Sequence, residues 1–151
     1  MKILLVGGSG FLGAWVARFL HINQCLARIL DPNKPDSEWH RLSGIRADAT
    51  DWMAGDVSKK SELDDAIRDC QGVINLAGLL TPQCSQNPVR GAEVNLIGAI
   101  KVFEGALKHG LKKVAYTSSI GVHGPDHAEF PEPTTHYGSF KLASEGVAPA
   151  F

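Results

Sequence analysis

Two short stretches carry residues whose types and spacing could do chemistry. In YGSFK (137–141) a phenol, Tyr137, and an amine, Lys141, stand four positions apart. On a helix this spacing puts both on one face, where the ammonium favours the phenolate over the phenol. The same spacing occurs in ordinary surface pairs, so it takes its meaning from the rest of the chain. In GGSGFLG, Gly7, Gly10 and Gly13 form G-x-x-G-x-x-G directly after an apolar run and before an amphipathic one. Such glycines permit a tight turn, close backbone approach to a pyrophosphate, and close packing of helix on strand. The helix that follows would aim free N–H groups and the positive end of its dipole at the phosphates. Phe11 and Leu12, inside this loop, are counted with it as cofactor-binding positions.

Two carboxylates fall where a dinucleotide would need them. Asp31 ends the second apolar run, where it could accept hydrogen bonds from a ribose diol and repel a 2′-phosphate, or with Pro32 merely begin a turn. Lys34 and Arg41 lie near enough in sequence to weaken that preference. Asp56 follows the third run, where it could take the adenine amino group while Val57 packs on the ring; an Asp after a strand is also common in turns.

The elements that must hold these residues read as an alternation of strands and helices. Buried strands are expected at 2–6, 27–31, 51–55, 72–78 and 112–119. The clearest helix is 88–107, with Val89, Ala92, Leu96, Ile100, Phe103 and Leu107 as its apolar face, Asn87 as cap, Pro88 in the first turn and Gly110 beyond its end. A shorter helix, 59–69, is expected to begin at Ser58. Gly and Pro mark 121–135 as a surface loop. Strand and helix in this alternation predict parallel strands with right-handed crossovers, hence an α/β, doubly wound open sheet.

Composition narrows the function classes. At 151 residues, 44% hydrophobic and 21% charged, the chain matches a globular domain of ordinary size. Its formal charge of −1, with basic residues scattered, gives no reason to expect nucleic acid or an anionic membrane as partner. Cys25, Cys70 and Cys84 are too widely spaced for a disulfide framework, and the six histidines show no metal-ligand spacing. No metal is expected, and a reducing cytoplasm fits best. The uncharged run from Ile3 to Ala17 imitates a signal peptide, but glycines interrupt it and it is too short to span a bilayer.

Gly7/Gly10/Gly13, Asp56-Val57, NLAG at 75–78, Asn95, YTSSIGVHG at 116–124 and YGSFK at 137–141 together resemble the extended short-chain dehydrogenases. More narrowly, they resemble the NAD-dependent epimerase/dehydratase branch. The likeness runs through essentially the whole chain in the family's order, with Asn75 where many relatives carry His.

The resemblance implies a Rossmann-like domain over 1–151 with strand order 3-2-1-4-5. It makes Tyr137 the general acid/base, Lys141 its activator and a further cofactor contact, and Ser119, rather than Ser118, the group that positions the substrate. Leu76, Ala77 and Gly78 would join the cofactor site. Asn95 would be structural, with proton relay through Lys141 as the other possibility. The cofactor implied is NAD in preference to NADP, and the substrate a sugar nucleotide or related hydroxyl compound. Relatives continue with further strands that build the substrate pocket, so a fragment of a longer enzyme is expected, with a natural short relative as the alternative; in function, the alternative to the enzyme is an NAD-binding module or sensor without turnover. A homodimer through helices 88–107 and 136–148 is also expected, leaving Val89 and Phe140 outward.

Overall fold

The computed structural model describes residues 1–124 and 130–151; residues 125–129 of the expected 121–135 loop lie outside that description. Five parallel strands form one sheet in the order β3-β2-β1-β4-β5. They are β1 (Lys2–Val6), β2 (Leu26–Asp31), β3 (Asp51–Ala54), β4 (Gly72–Asn75) and β5 (Val114–Tyr116). The order and the all-parallel sense agree with the sequence reading. Period-two alternation in β1 sends its side chains to two cores. Leu4 and Val6 join Leu63, Ile67 and Val102 on one face, while Ile3 and Leu5 join Ala14, Ala17 and Trp39 on the other.

Helices cover both faces. α1 (Phe11–Ile22) and α2 (Ser37–Ser43) lie on the Ile3/Leu5 side, and α3 (Lys60–Ile67) on the other. Next come α4 (Thr81–Gln86), α5 (Pro88–Ala92), one π-helical turn at Glu93–Ile97 running into α6 (Gly98–Lys108), and α7 (His136–Val147). Neither α2 nor α4 was expected, although Asp36 signals α2: its Oδ1 accepts from the Trp39 amide at 2.7 Å.

Several boundaries differ from the expected ones for local reasons. The expected strand 72–78 stops at Asn75, whose side chain accepts from the Ala77 amide at 3.1 Å and turns the chain out of the ladder. Strand 112–119 shrinks to Val114–Tyr116, because Ser119 instead caps a 3₁₀ turn through the Gly121 amide at 3.1 Å. Ser58 does not cap α3. Its amide donates to Asp56 Oδ1 at 2.8 Å, and the helix begins at Lys60 with no side-chain cap.

The long helix is present, capped by Asn87 as expected, with its Oδ1 accepting from the Arg90 amide at 3.0 Å. Its expected apolar face is inward only in part: Phe103 is 6% exposed but Leu107 65%, while Val89, also expected outward, is 71% exposed. The buried stripe also contains Gly91, Gly98 and Gly105. A Cβ there would come within 2.9 Å of Cys84 Sγ, 2.8 Å of Val57 Cγ1 and 2.7 Å of Ile67 Cδ1 respectively. Close approach selects the smallest residues for these contacts, beside the buried Val94, Val102 and Phe103. Phe140, expected outward, is half-buried against Gly91 and stacked on His136.

Leu4 is fully buried on the central strand, whereas Phe19 is 68% exposed. By chemical denaturation, Leu4→Ala should cost about 2–5 kcal/mol and Phe19→Ala less than about 0.5. Equal losses would contradict this placement of the core.

Candidate functional site

The site is built at the carboxyl ends of the strands, where the order reverses between β1 and β4. Gly7 leaves β1 with φ +74°, and a Cβ on it would lie 2.6 Å from the Ala77 backbone. Gly13 is required for another reason: its Cβ would reach 2.0 Å from the Gly8 carbonyl oxygen. That carbonyl is pinned by Trp39, whose Nε1 donates to it at 2.8 Å. Gly10 differs from both. Nothing lies within 4 Å of a Cβ built there, and Gly10 caps α1 with no side-chain hydrogen bond. This is open ground before helical amides, the form of a phosphate cradle. Phe11 and Leu12 point outward, 72% and 52% exposed, so they offer this cradle their backbone amides.

In front of the loop lies a cleft of about 420 Å³. Of the expected cofactor residues, Gly7, Gly10, Asp31, Asp56, Val57, Leu76, Ala77 and Gly78 line it. Phe11, Leu12, Gly13, Tyr137 and Lys141 do not. Asp31 is 8% exposed, and its two oxygens accept from the amides of Ser9, at 3.1 Å, and Asn33, at 2.9 Å. The cations that could have softened its charge are engaged elsewhere: Arg41 is paired with Glu38 at 2.5 Å, and the Lys34 ammonium lies over the Trp52 ring.

Asp56 lines the cleft too, bonded to the Ser58 amide and paired with the Arg90 guanidinium. Burial opposes its charge, but the Ser58 bonds and Arg90 outweigh burial and hold the carboxyl below its ordinary range. Arg90, Ser9 and Asn33 are site residues that sequence reasoning missed. Arg90 stands 34 positions from its partner, and only the fold joins them.

Beyond the cleft floor the expected chemical residues converge. A Cβ on Gly78 would lie 2.9 Å from Asn95 Oδ1 and 3.8 Å from Lys141 Nζ. Lys141 is 5% exposed, donates to the Thr117 carbonyl at 2.7 Å and holds its ammonium 5.8 Å from the Tyr137 ring centroid. Ser119 Oγ and Tyr137 Cδ1 both border Gly121, at 3.4 and 4.0 Å from a Cβ built there. Ser118 is turned aside, its hydroxyl donating to Glu145. Asn95 Nδ2 donates to the carbonyls of Leu79 (3.0 Å) and Gly91 (3.1 Å) and to Cys84 Sγ (3.3 Å). Among the described residues there is no group of three or more metal-ligating side chains, and no helix long and apolar enough to cross a membrane.

The chain matches the model of the NAD dependent epimerase/dehydratase family over residues 3–151. It is 29% identical to a bifunctional UDP-glucose 4-epimerase and UDP-xylose 4-epimerase of Pisum sativum, covering 97% of this chain and 46% of the pea protein. It is likewise 29% identical to an inverting UDP-N-acetylglucosamine 4,6-dehydratase of Campylobacter jejuni, covering 95% and 41%. The chain thus spans less than half the length of these relatives. Among solved structures it is similar to the Thermus thermophilus UDP-glucose 4-epimerase complex with NAD, at TM-score 0.84 and 25% identity, covering 99% of this chain and 50% of that one.

Two outcomes test this geometry. Gly13→Ala should lose about 2 kcal/mol of stability or more through overpacking, while Gly10→Ala, with φ −82°, should fold normally; a stable Gly13→Ala would refute the close approach. Burial holds the Lys141 ammonium below the usual lysine range, with the Cys84 charge a smaller opposing influence. A depressed group contributes stability above its unfolded pKa and loses it as pH falls through the folded one, so near neutrality charged Lys141 is a cost. Lys141→Met should therefore raise stability near pH 7 by about 1 kcal/mol, the gain shrinking as pH rises through the lowered folded pKa and vanishing above the unfolded value of about 10. A fall in the denaturation midpoint at neutral pH would count against it.

Proposed function

The chain belongs to the NAD-dependent epimerase/dehydratase family, and from that premise we propose that it binds NAD in this cleft and serves oxidation at a hydroxyl of a sugar nucleotide. The observation that carries the reading is continuity. The cleft runs from the Asp31 carboxylate to Gly78, and Gly78 abuts the Lys141 ammonium, which lies beside Tyr137.

Asp31 would accept from the adenosine ribose hydroxyls, its oxygens already oriented by Ser9 and Asn33. The Gly10 opening and the first amides of α1 would take the pyrophosphate. Bound there, NAD supplies a hydride acceptor. Ser119 would orient the substrate hydroxyl, and the Tyr137 oxygen would take its proton as the carbon is oxidised. Lys141, held by the Thr117 carbonyl, would stabilise the negative charge that Tyr137 needs to act as a base. UDP-sugars are the substrate class suggested by the pea and Campylobacter relatives.

A second reading, a dinucleotide-binding unit without turnover, draws on one observation: none of Ser119, Tyr137 and Lys141 lines the cleft. Both readings expect the chain to bind NAD at least about tenfold more tightly than NADP by calorimetry, because Asp31 repels a 2′-phosphate. Asp31→Ser should close most of that gap; equal affinities in the unmodified chain would remove Asp31 from the ribose site. UDP-hexose-dependent reduction of NAD that Tyr137→Phe abolishes, with NAD affinity kept, marks the enzyme. NAD binding with no such reduction marks the second reading.

A further inference from the structure

We propose that Arg90 sets the base specificity of the cleft by positioning the Asp56 carboxylate. The inference rests on the dinucleotide reading of the cleft and adds to it a residue from a different part of the chain. Arg90 stands at the beginning of the long helix, where its own amide is held by the Asn87 cap at 3.0 Å. Its guanidinium reaches back to the segment after β3. Nη2 donates to Asp56 Oδ2, and Nη1 donates to Ser58 Oγ at 2.9 Å and Glu93 Oε2 at 3.0 Å. Asp56 Oδ1 accepts from the Ser58 amide at 2.8 Å. The carboxylate is thus fixed from both oxygens, and Arg90 and Asp56 both line the cleft.

This arrangement has a consequence for the base. A carboxylate has roughly four acceptor sites, and Ser58 and Arg90 use one on each oxygen. What remains can take a donor from the cleft, which is what the 6-amino group of adenine offers. A 6-carbonyl, as in hypoxanthine, would present a partial negative charge to the carboxylate instead. Orientation decides how much of this difference is realised, since a freely rotating, hydrated carboxylate discriminates poorly. Three guanidinium N–H groups are already committed to Asp56, Ser58 and Glu93. Arg90 therefore acts through Asp56 rather than on the base, as a positioning residue.

The test compares NAD with nicotinamide hypoxanthine dinucleotide by calorimetry, using the full chain and its Arg90→Gln and Arg90→Lys variants, with thermal denaturation alongside. The unmodified chain should favour NAD by about tenfold or more, a charge-assisted hydrogen bond's worth. Arg90→Gln should shrink that ratio at least about fivefold, and Arg90→Lys, which keeps charge but lacks the planar fork, should fall between. Equal weakening of both dinucleotides in Arg90→Gln, with the ratio kept, would reduce Arg90 to a structural tie and overturn the proposal. A ratio that rises would overturn it by showing Arg90 contacting the base itself. Indifference of the unmodified chain to the two bases would overturn the Asp56 assignment and this one with it. Failure to bind either dinucleotide would overturn the dinucleotide reading on which both stand.

Discussion

The structure depends on two backbone segments meeting with no side chain between them. At the ends of β1 and β4, Gly7 comes so near Ala77 that a Cβ would lie 2.6 Å from its backbone. Adjacent parallel strands are held at a fixed spacing by their ladder, so the segments leaving them can separate only by turning to opposite faces. Gly7 turns toward α1 and Leu76 toward α4, and the cleft opens between them. Any side chain at Gly7 would have to occupy that crossing. The open ground at Gly10, the path of α1 and the position of Gly78 all follow from this one contact, because each lies within a few residues of it on one strand or the other.

Charge is arranged around this crossing with differing costs. Asp31 is buried but receives two backbone amides, which compensate a carboxylate well at little entropic cost. Lys141 is buried with the Thr117 carbonyl and no carboxylate against it among the described residues, and burial accordingly disfavours its charged form. A fold selected for stability alone would place an apolar residue there. The same chain spends an unusually shaped turn on this neighbourhood: the π-helical residues Glu93–Ile97 contain Asn95, and Ser144 of α7 donates to the Asn95 carbonyl at 3.0 Å. α7, which carries Tyr137 and Lys141, is fastened to the long helix at that turn.

How much of this was legible in the sequence varied with the kind of force involved. The parallel sense followed from the alternation of apolar strand runs with helical ones, whereas the strand order came only from the resemblance to the family. The Asn87 cap and the glycine loop were legible because their partners are local. The inward face of the long helix was read only in part because hydrophobicity marks large residues, while Gly91, Gly98 and Gly105 were buried by the need for proximity. Ser58 looked like a cap, yet its hydroxyl oxygen accepts from the Arg90 guanidinium instead. Beyond its pairing with Glu93 on the same helix, Arg90 gave no local signal of a place in the cleft, since Asp56 and Ser58 precede it by more than thirty positions. Local chemistry was readable, and long-range pairing became visible only in three dimensions.

Asn95 shows why a choice between structural and chemical roles can be misplaced. Its amide nitrogen bonds the carbonyls of Leu79 and Gly91, closing the wide turn and tying it to the segment after Gly78. That is a structural function, and it uses only the donor end of the side chain. The acceptor end, Oδ1, is buried without a hydrogen-bond partner among the described residues. An amide cannot rotate one end without the other, so satisfying the carbonyls fixes where Oδ1 points. It points to Gly78, on the side where Lys141 Nζ also lies. A buried acceptor left open is costly unless something completes it, and here the cost falls beside an ammonium that has donors to spare. The turn that holds the helix together thereby sets a polar atom at Gly78, the same glycine that borders the residue on which the proposed chemistry relies.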